Sequence, residues 1–313
     1  MEGLEIIGAG ALTTIQDLGR RGYQRFGMPT AGAMDITSLR LANRLVRNDE
    51  GEACLEITFI GLRFLALQDI VIAITGGNLM PKVDGYPLPM WQTVCIAKNS
   101  NITFTGVEDG IRSYLAVAGG IQVTEIMGSK STYIRGGIGG LEGRPLKKGD
   151  RLRIGPRPRR LPSCKVNRGL FLPYGKDWNI RVIMGPQDDY FSKSGIETFI
   201  SSEYTITPQS DRMGYRLQGP VIQHRRGADI ISDATCLGSI QVPGHGLPII
   251  LLADRQTTGG YPKIATAITV DIYDLSQAKP GDSVRFSPIS VTEAHGIRRD
   301  HEERMDQCIE ILR

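Results

Sequence analysis

The sequence predicts a mainly β fold with a few helices, arranged as two related β-barrel domains. Three observations point there. The 313 residues include 38 Gly and 17 Pro, a composition of many tight turns. The apolar residues gather in short runs of strand length, at 70–75, 102–105, 113–118, 180–184, 248–252 and 264–270. One order of signals also occurs twice: a Gly turn, an apolar strand, a Gly-Gly pair, then a Gly-Asp turn before a last strand. It runs from Gly110 through Gly119-Gly120 to Lys148-Gly149-Asp150, and again from Gly244 through Gly259-Gly260 to Pro280-Gly281-Asp282. Gly-Asp turns are common in all-β proteins, so a chance match is the competing explanation.

The first helix is expected over 36–46, where Ile36, Leu39, Ala42, Leu45 and Val46 recur at helical spacing behind Asp35 as N-cap. A second is expected over 188–201, opened by Asp188 and Asp189. A third, polar and charged, covers 291–312. The run Pro156-Arg157-Pro158-Arg159-Arg160-Leu161-Pro162 suits neither a helix nor a central strand. It opens a linker to about residue 175, between domains at 1–160 and 176–313, the second carrying the last helix.

Composition excludes several classes. Hydrophobic residues at 41% fill a core, and 37 Lys+Arg against 33 Asp+Glu are too balanced for a nucleic-acid partner. No apolar stretch reaches the ~18–20 residues of a membrane helix. The start, Met1-Glu2-Gly3-Leu4-Glu5, lacks the basic region of a secretory signal. Five scattered cysteines with no C-x-x-C pair argue against zinc and against a disulfide framework, so a reduced, cytoplasmic protein is expected. The four histidines stand apart from one another, which disfavours a triad or a metal site; no metal is expected. Gly128-Ser129-Lys130-Ser131 lacks the spacing of a phosphate loop. Gly137-Ile138-Gly139-Gly140-Leu141-Glu142 begins like a dinucleotide fingerprint but ends on Glu. No nucleophile elbow occurs.

Three segments are richer in polar groups than a turn requires: Thr13 to Asp35, Ser210 to Arg216, and Asp254 to Lys263. The third follows a buried apolar strand, which sets a loop on a rigid base at a barrel rim. Gln256, Thr257 and Thr258 offer amide and hydroxyl hydrogen bonds, and Arg255 and Lys263 suit a carboxylate or phosphate. The competing reading is a self-satisfied hairpin. Asp17 and Arg20 can brace a Gly turn, and Asp211 and Arg212 are either an ion pair bracing Tyr215 or a substrate clamp.

The blocks Thr13-Thr14-Ile15-Gln16-Asp17-Leu18-Gly19-Arg20, Gly32-Ala33-Met34-Asp35, Leu41-Ala42-Asn43-Arg44-Leu45-Val46 and Leu55-Glu56-Ile57-Thr58 resemble a known family. Segments 113–121, 136–143, 210–219 and 256–265 continue the likeness in order, over about residues 4–290. The family is allophanate hydrolase subunit 2, also described as the biotin-dependent carboxyltransferase family. The resemblance implies two cyclophilin-like β-barrel domains and a separate subunit-1 (B-type) partner of related fold. With a third, A-type component, such proteins form a 5-oxoprolinase, an ATP-hydrolysing enzyme that opens the cyclic amide 5-oxo-L-proline to L-glutamate. ATP is then a co-substrate of the complex, and the isolated chain is expected to be inactive. One alternative is a carboxyltransferase subunit for urea or an amide, with biotin on another chain. Another is a non-catalytic antagonist of a KipI-like kinase inhibitor.

For lactam opening, the expected catalytic residues are Asp211, Gln256 and Lys263. Arg212, Tyr215, Thr257, Thr258, Tyr261, Gln16 and Asp17 are expected to bind substrate. Lys263 or Arg212 would hold a carboxylate or phosphate, Gln256 to Thr258 the lactam or its oxyanion, and Tyr261 the pocket wall.

Overall fold

The computed structural model describes residues 2–156, 162–171 and 174–311. The chain divides into two compact units: unit 1 comprises Met1–Arg20, Ala31–Tyr174 and Glu303–Arg313, and unit 2 comprises Arg21–Thr30 and Gly175–Glu302.

Unit 1 contains a seven-stranded and a five-stranded sheet. The larger runs, in spatial order, Ile121–Gln122, Arg151–Ile154, Glu2–Ala9, Leu62–Ala66, Asn101–Phe104, Pro81–Val83 and Tyr86–Pro87. The smaller runs Leu12–Gln16, Cys54–Thr58, Asp109–Val117, Ile70–Asn78 and Thr93–Ile96. Alternate residues of both sheets, among them Leu4, Ile6, Ile15, Leu55, Phe64, Ile72, Phe104 and Leu115, share one core. The opposite face of the smaller sheet is covered by helix α1, Ile36–Leu45. Leu39, Ala42 and Leu45 cluster there with Val71, Ala73 and Ala116. Cover on both faces explains why Cys54–Thr58 is buried at every position, Glu56 included. Asp35 caps α1 as expected: its carboxylate accepts from the Ser38 amide at 2.9 Å.

In unit 2 seven strands close a barrel: Asp177–Met184, Lys263–Ala267, Ser239–Gln241, Ile249–Leu251, Gly214–Gln218, Tyr204–Ile206 and Ser283–Pro288. The last strand returns parallel to the first. Burial alternates in Tyr204–Ile206, in the later part of Gly214–Gln218 and in Ser283–Pro288, with Tyr204 and Ile206, Tyr215 and Leu217, and Val284 and Phe286 inside.

The repeated Gly-Asp turn has the same hydrogen bonds in both units. In unit 1 the Asp150 carboxylate accepts from the Lys147 amide (2.8 Å), Gly149 N donates to Ile6 O (2.8 Å) and Ile6 N to Asp150 O (2.8 Å). In unit 2 Asp282 accepts from the Lys279 amide (3.0 Å), Gly281 N donates to Ile206 O (2.9 Å) and Ile206 N to Asp282 O (3.0 Å). Gly149 and Gly281 have φ of +91° and +93°, a conformation an L side chain strains to reach.

The helices differ from expectation in three places. Asp188 and Asp189 lie in a separate 3-10 turn, Asp188–Tyr190. Helix α2 is Lys193–Ser201, capped by Ser192, whose hydroxyl accepts from Gly195 N. The strand expected over 264–270 ends at Ala267 and gives way to α3, Thr269–Leu275. The apolar run continues across that junction, so hydrophobicity does not mark it. Helix α4 starts on schedule at Val291, where Ser290 and Glu293 form a reciprocal capping box, but it ends at Gln307. Residues Ile309–Ile311 then form a strand antiparallel to Cys164–Val166, inside the stretch read as linker. The run 157–161 lies outside the described residues. Among the described residues, no helix is long and apolar enough to cross a membrane.

Candidate functional site

The segment from Asp254 to Lys263 leaves the barrel strand Ile249–Leu251 and returns through the two-residue strand Thr258–Gly259 into Lys263–Ala267. Thr258–Gly259 pairs with Asp233–Ala234 in a small flap. Below the flap, Lys263 donates from Nζ to Asp233 Oδ2 (2.6 Å) and to the Ala234 carbonyl (3.0 Å). Its side chain is 3% exposed, against 50% for Asp233. Lys263 holds the Asp233 carboxyl below its ordinary range, helped by the Ala234 amide and by Gln187. Gln187 also accepts from Lys263 N at 3.1 Å. Lys263, expected as a catalytic residue, is thus buried in an ion pair that ties down the flap.

Arg212, expected to bind substrate, is likewise held in a buried ion pair. Its Nε and Nη2 meet both oxygens of Asp254 at 3.0 Å, and both side chains are 7% exposed. The pair expected between Asp211 and Arg212 does not form. Asp211 is exposed and accepts from the Met213 (2.8 Å) and Gly214 (3.3 Å) amides, which makes it a turn former. Tyr215, expected to bind substrate, is buried and donates to the Ser276 (3.4 Å) and Ala278 (3.1 Å) carbonyls, a bracing contact.

Four expected rim residues keep hydrogen-bonding capacity. Gln256 is half-buried, and its Nε2 donates to the buried Gln241 Oε1 at 3.2 Å. Gln241 in turn donates to the Tyr261 carbonyl at 3.3 Å. Among the described residues, Gln256 Oε1 and the Thr257 and Thr258 hydroxyls have no hydrogen-bond partner; Thr258 and Tyr261 are exposed. Sequence reasoning missed Gln241 and Asp233, which organise this rim from remote strands or loops; Asp254 was in view only as the first residue of the segment, not as the partner of Arg212.

Gln16 and Asp17, expected to bind substrate, belong to unit 1 and are built into its hydrogen-bonded frame. Asp17 accepts from Gly19 N (2.8 Å), Ser129 Oγ (2.7 Å), Lys130 N (2.6 Å) and Ser131 Oγ. Gln16 is wholly buried and donates to Thr14 Oγ1 (3.0 Å) and Thr132 O (3.1 Å). Arg20, also wholly buried, donates to the Ser131 carbonyl. The would-be dinucleotide loop packs on this knot: a Cβ on Gly139 would lie 2.0 Å from Ser131 O.

A second polar cluster in unit 1 escaped the sequence reading. Tyr114 Oη donates to Glu56 Oε2 (2.8 Å) and accepts from Asp35 N (2.7 Å), while Met34 N donates to the same Glu56 oxygen (2.9 Å). Ser38 Oγ donates to Asp35 at 2.6 Å. Burial, then the negative charges of Glu56 and Asp35, push the Tyr114 phenol well above its ordinary value. The available signal was Glu56 itself, an acid between Leu55 and Ile57 in a strand with no polar face. Among the described residues, no group of three His, Cys, Asp or Glu side chains is placed to hold a metal.

Residues 26–288 match the family described as carboxyltransferase domain, subdomain A and B. The chain is 40% identical over 310 residues to the C-type component of Escherichia coli 5-oxoprolinase, covering 97% of each. It is 34% identical to the Saccharomyces cerevisiae urea amidolyase, covering 96% of this chain and 17% of that one. The crystal structure of the Kluyveromyces lactis urea amidolyase superposes on 98% of this chain with a TM-score of 0.92 and 31% identity, over 20% of its own length.

Proposed function

Because the chain belongs to the family of carboxyltransferase domains with subdomains A and B, we propose that it is one component of an ATP-dependent 5-oxoprolinase. The observation that carries this reading is the end-to-end match, 97% of both chains, to the C-type component of the Escherichia coli enzyme. A component of that kind acts with a subunit-1 (B-type) protein and an A-type protein, and the substrate is the lactam 5-oxo-L-proline.

The lactam carbonyl is deactivated by resonance with nitrogen. Phosphoryl transfer from ATP to the amide oxygen makes the carbon electrophilic. Water then adds, the C–N bond breaks, nitrogen takes a proton and phosphate departs, giving L-glutamate. In this reading Gln256, Thr257 and Thr258 donate to, or accept from, the lactam and its developing oxyanion, and Tyr261 walls the site. Arg212 and Lys263 are already neutralised by Asp254 and Asp233, which does not fit a triphosphate cradle. ATP is accordingly assigned to one of the other proteins of the complex, and no step is routed through this chain's cations.

The test is reconstitution of the purified chain with its B-type and A-type partners, measuring glutamate formed from 5-oxoproline with ATP. Turnover by the mixture and none by the chain alone is expected; no turnover by the complete mixture refutes the reading. The likeness to urea amidolyase favours a second reading, carboxyl transfer from biotin on another chain to a urea-like nitrogen. A biotinylated protein co-purifying with this one, detected with streptavidin, would support it.

A further inference from the structure

We propose that Gln241 and Gln256 form a directed pair of amides that presents Gln256 Oε1 as a fixed acceptor for the ring N–H of the lactam, with Gln241 as the positioning residue. The inference rests on the lactam reading above and assigns Gln256 to the ring nitrogen rather than to the oxyanion.

The direction of the pair is set at its buried end. A backbone carbonyl only accepts, so the atom that Gln241 turns to the Tyr261 carbonyl, at 3.3 Å, is Nε2. Its Oε1 then faces Gln256, and that oxygen takes a donor, Gln256 Nε2, at 3.2 Å. Turning either amide over would set oxygen against oxygen. The atom left over is Gln256 Oε1, which has no hydrogen-bond partner among the described residues.

The surroundings hold this direction in place. Gln241 is 2% exposed and ends the barrel strand Ser239–Gln241. The flap strand Thr258–Gly259 comes down onto its amide, where a Cβ on Gly259 would lie 2.4 Å from Gln241 Nε2. Glycine at 259 is thus the residue that leaves room for the amide. Gln256 is half-buried, so its outer end meets the rim while its inner end is tied to Gln241.

An acceptor at this point suits the lactam nitrogen. Phosphorylating the amide oxygen draws electron density from nitrogen and makes the ring N–H a stronger donor. When the C–N bond breaks, nitrogen gains a further proton. A fixed acceptor therefore holds the reacting lactam more tightly than the resting one. The Thr257 and Thr258 hydroxyls, without partners among the described residues, are left to donate to the oxyanion.

The experiment sets 5-oxo-L-proline against its γ-lactone counterpart, in which a ring oxygen replaces the N–H, as a competitive inhibitor of glutamate formation by the reconstituted complex. In the wild type the inhibition constant of the lactone is expected to exceed the KM of the lactam about 30-fold, because two acceptors are set face to face. Gln241→Leu frees the Gln256 amide to turn over, and Gly259→Ala pushes the Gln241 amide aside; each is expected to bring the two constants within about threefold. A rim that had merely loosened would weaken both ligands together and leave their ratio unchanged. A second measurement needs neither ligand nor partner. In side-chain amide spectra of the isotope-labelled full-length chain, one Nε2 proton of Gln241 and one of Gln256 are expected to exchange with solvent about tenfold more slowly than those of the exposed Gln209. Equal constants for lactam and lactone in the wild type, a ratio unmoved in the folded variants, or Gln256 exchanging like Gln209 overturns the proposal. Should neither variant fold, the wild-type ratio and spectra decide. No glutamate from the complete wild-type mixture refutes the 5-oxoprolinase reading instead, and the amide spectra then decide whether the pair is formed.

Discussion

Tyr114→Phe and Tyr204→Phe are one chemical change at two wholly buried rings, and they should move stability in opposite directions. The Tyr114 hydroxyl accepts from Asp35 N at 2.7 Å and donates to Glu56 at 2.8 Å. Removing it takes an acceptor from a buried amide and a donor from a buried carboxylate. A charge-assisted bond contributes ~1.5–3 kcal/mol and a lost amide partner ~1–3; because one hydroxyl serves both, the expected cost is about 3 kcal/mol. At ~2–4 °C per kcal/mol for a unit of this size, the unit 1 transition should fall by about 6–12 °C. Among the described residues the buried Tyr204 hydroxyl has no hydrogen-bond partner, and burial alone pushes its phenol up to about 12. Its ring fits against Phe286, at 5.9 Å between centroids, in space that a Gly at 219 leaves open. Phenylalanine keeps that packing and sheds an unsatisfied hydroxyl, so stability should be unchanged or higher by up to about 1 kcal/mol. Differential scanning calorimetry of the two variants reads both numbers. Alkaline titration adds a check. The folded-state pKa of Tyr204 lies above its unfolded value of 10.0, so its contribution is intact below pH 10 and is lost as pH rises toward 12. Tyr204→Phe should remove that alkaline slope. A Tyr204→Phe loss above about 1 kcal/mol, or a Tyr114→Phe change within about 0.5, would refute the hydrogen-bond reasoning.

Three further outcomes follow from the same geometry. Asp150→Ala and Asp282→Ala should each release their own turn by about 2 kcal/mol, speeding amide exchange there about 30-fold and leaving the sister turn unaffected; acceleration at both turns, or at neither, contradicts independent use of the repeated device. For Asp150, burial raises the carboxyl pKa, but the paired bonds from Arg144 and the Lys147 amide outweigh it and leave the group below 3.8. Its stabilisation is complete above that value and is lost as pH falls through the lower folded-state pKa, so urea melts should show the Asp150→Ala penalty shrinking below about pH 4. Gln256→Ala in a reconstituted complex should lower kcat/KM for 5-oxoproline about 10²-fold, while costing only about 1 kcal/mol of stability from the lost bond to Gln241; an intact complex with unchanged kcat/KM removes Gln256 from the chemistry.

Strand-rich architecture, the capped helix α1, the start of α4 and the duplicated Gly-Asp turn are all legible in the sequence, because each depends on neighbours within a few residues. Asp35 caps Ser38 three positions on, and Asp150 closes on Lys147 at the same spacing. Errors arise where the deciding partner is remote. The strand Ile309–Ile311 is set by Cys164–Val166, about 145 positions away, so its own residues read as more of the preceding helix.

The candidate site divides on the same line. From the sequence alone came a rim rich in hydrogen-bonding groups after a buried strand, and the family to which those blocks belong. Only the tertiary structure decided which of its charges are spent. Arg212 is neutralised by Asp254, 42 residues away, and Lys263 by Asp233, 30 residues away, while among the described residues Arg255 finds no carboxylate. A guanidinium looks the same in sequence whether or not an acid faces it. Ion pairing depends on distance through the folded chain and on how much water has been excluded, and neither is written in local order.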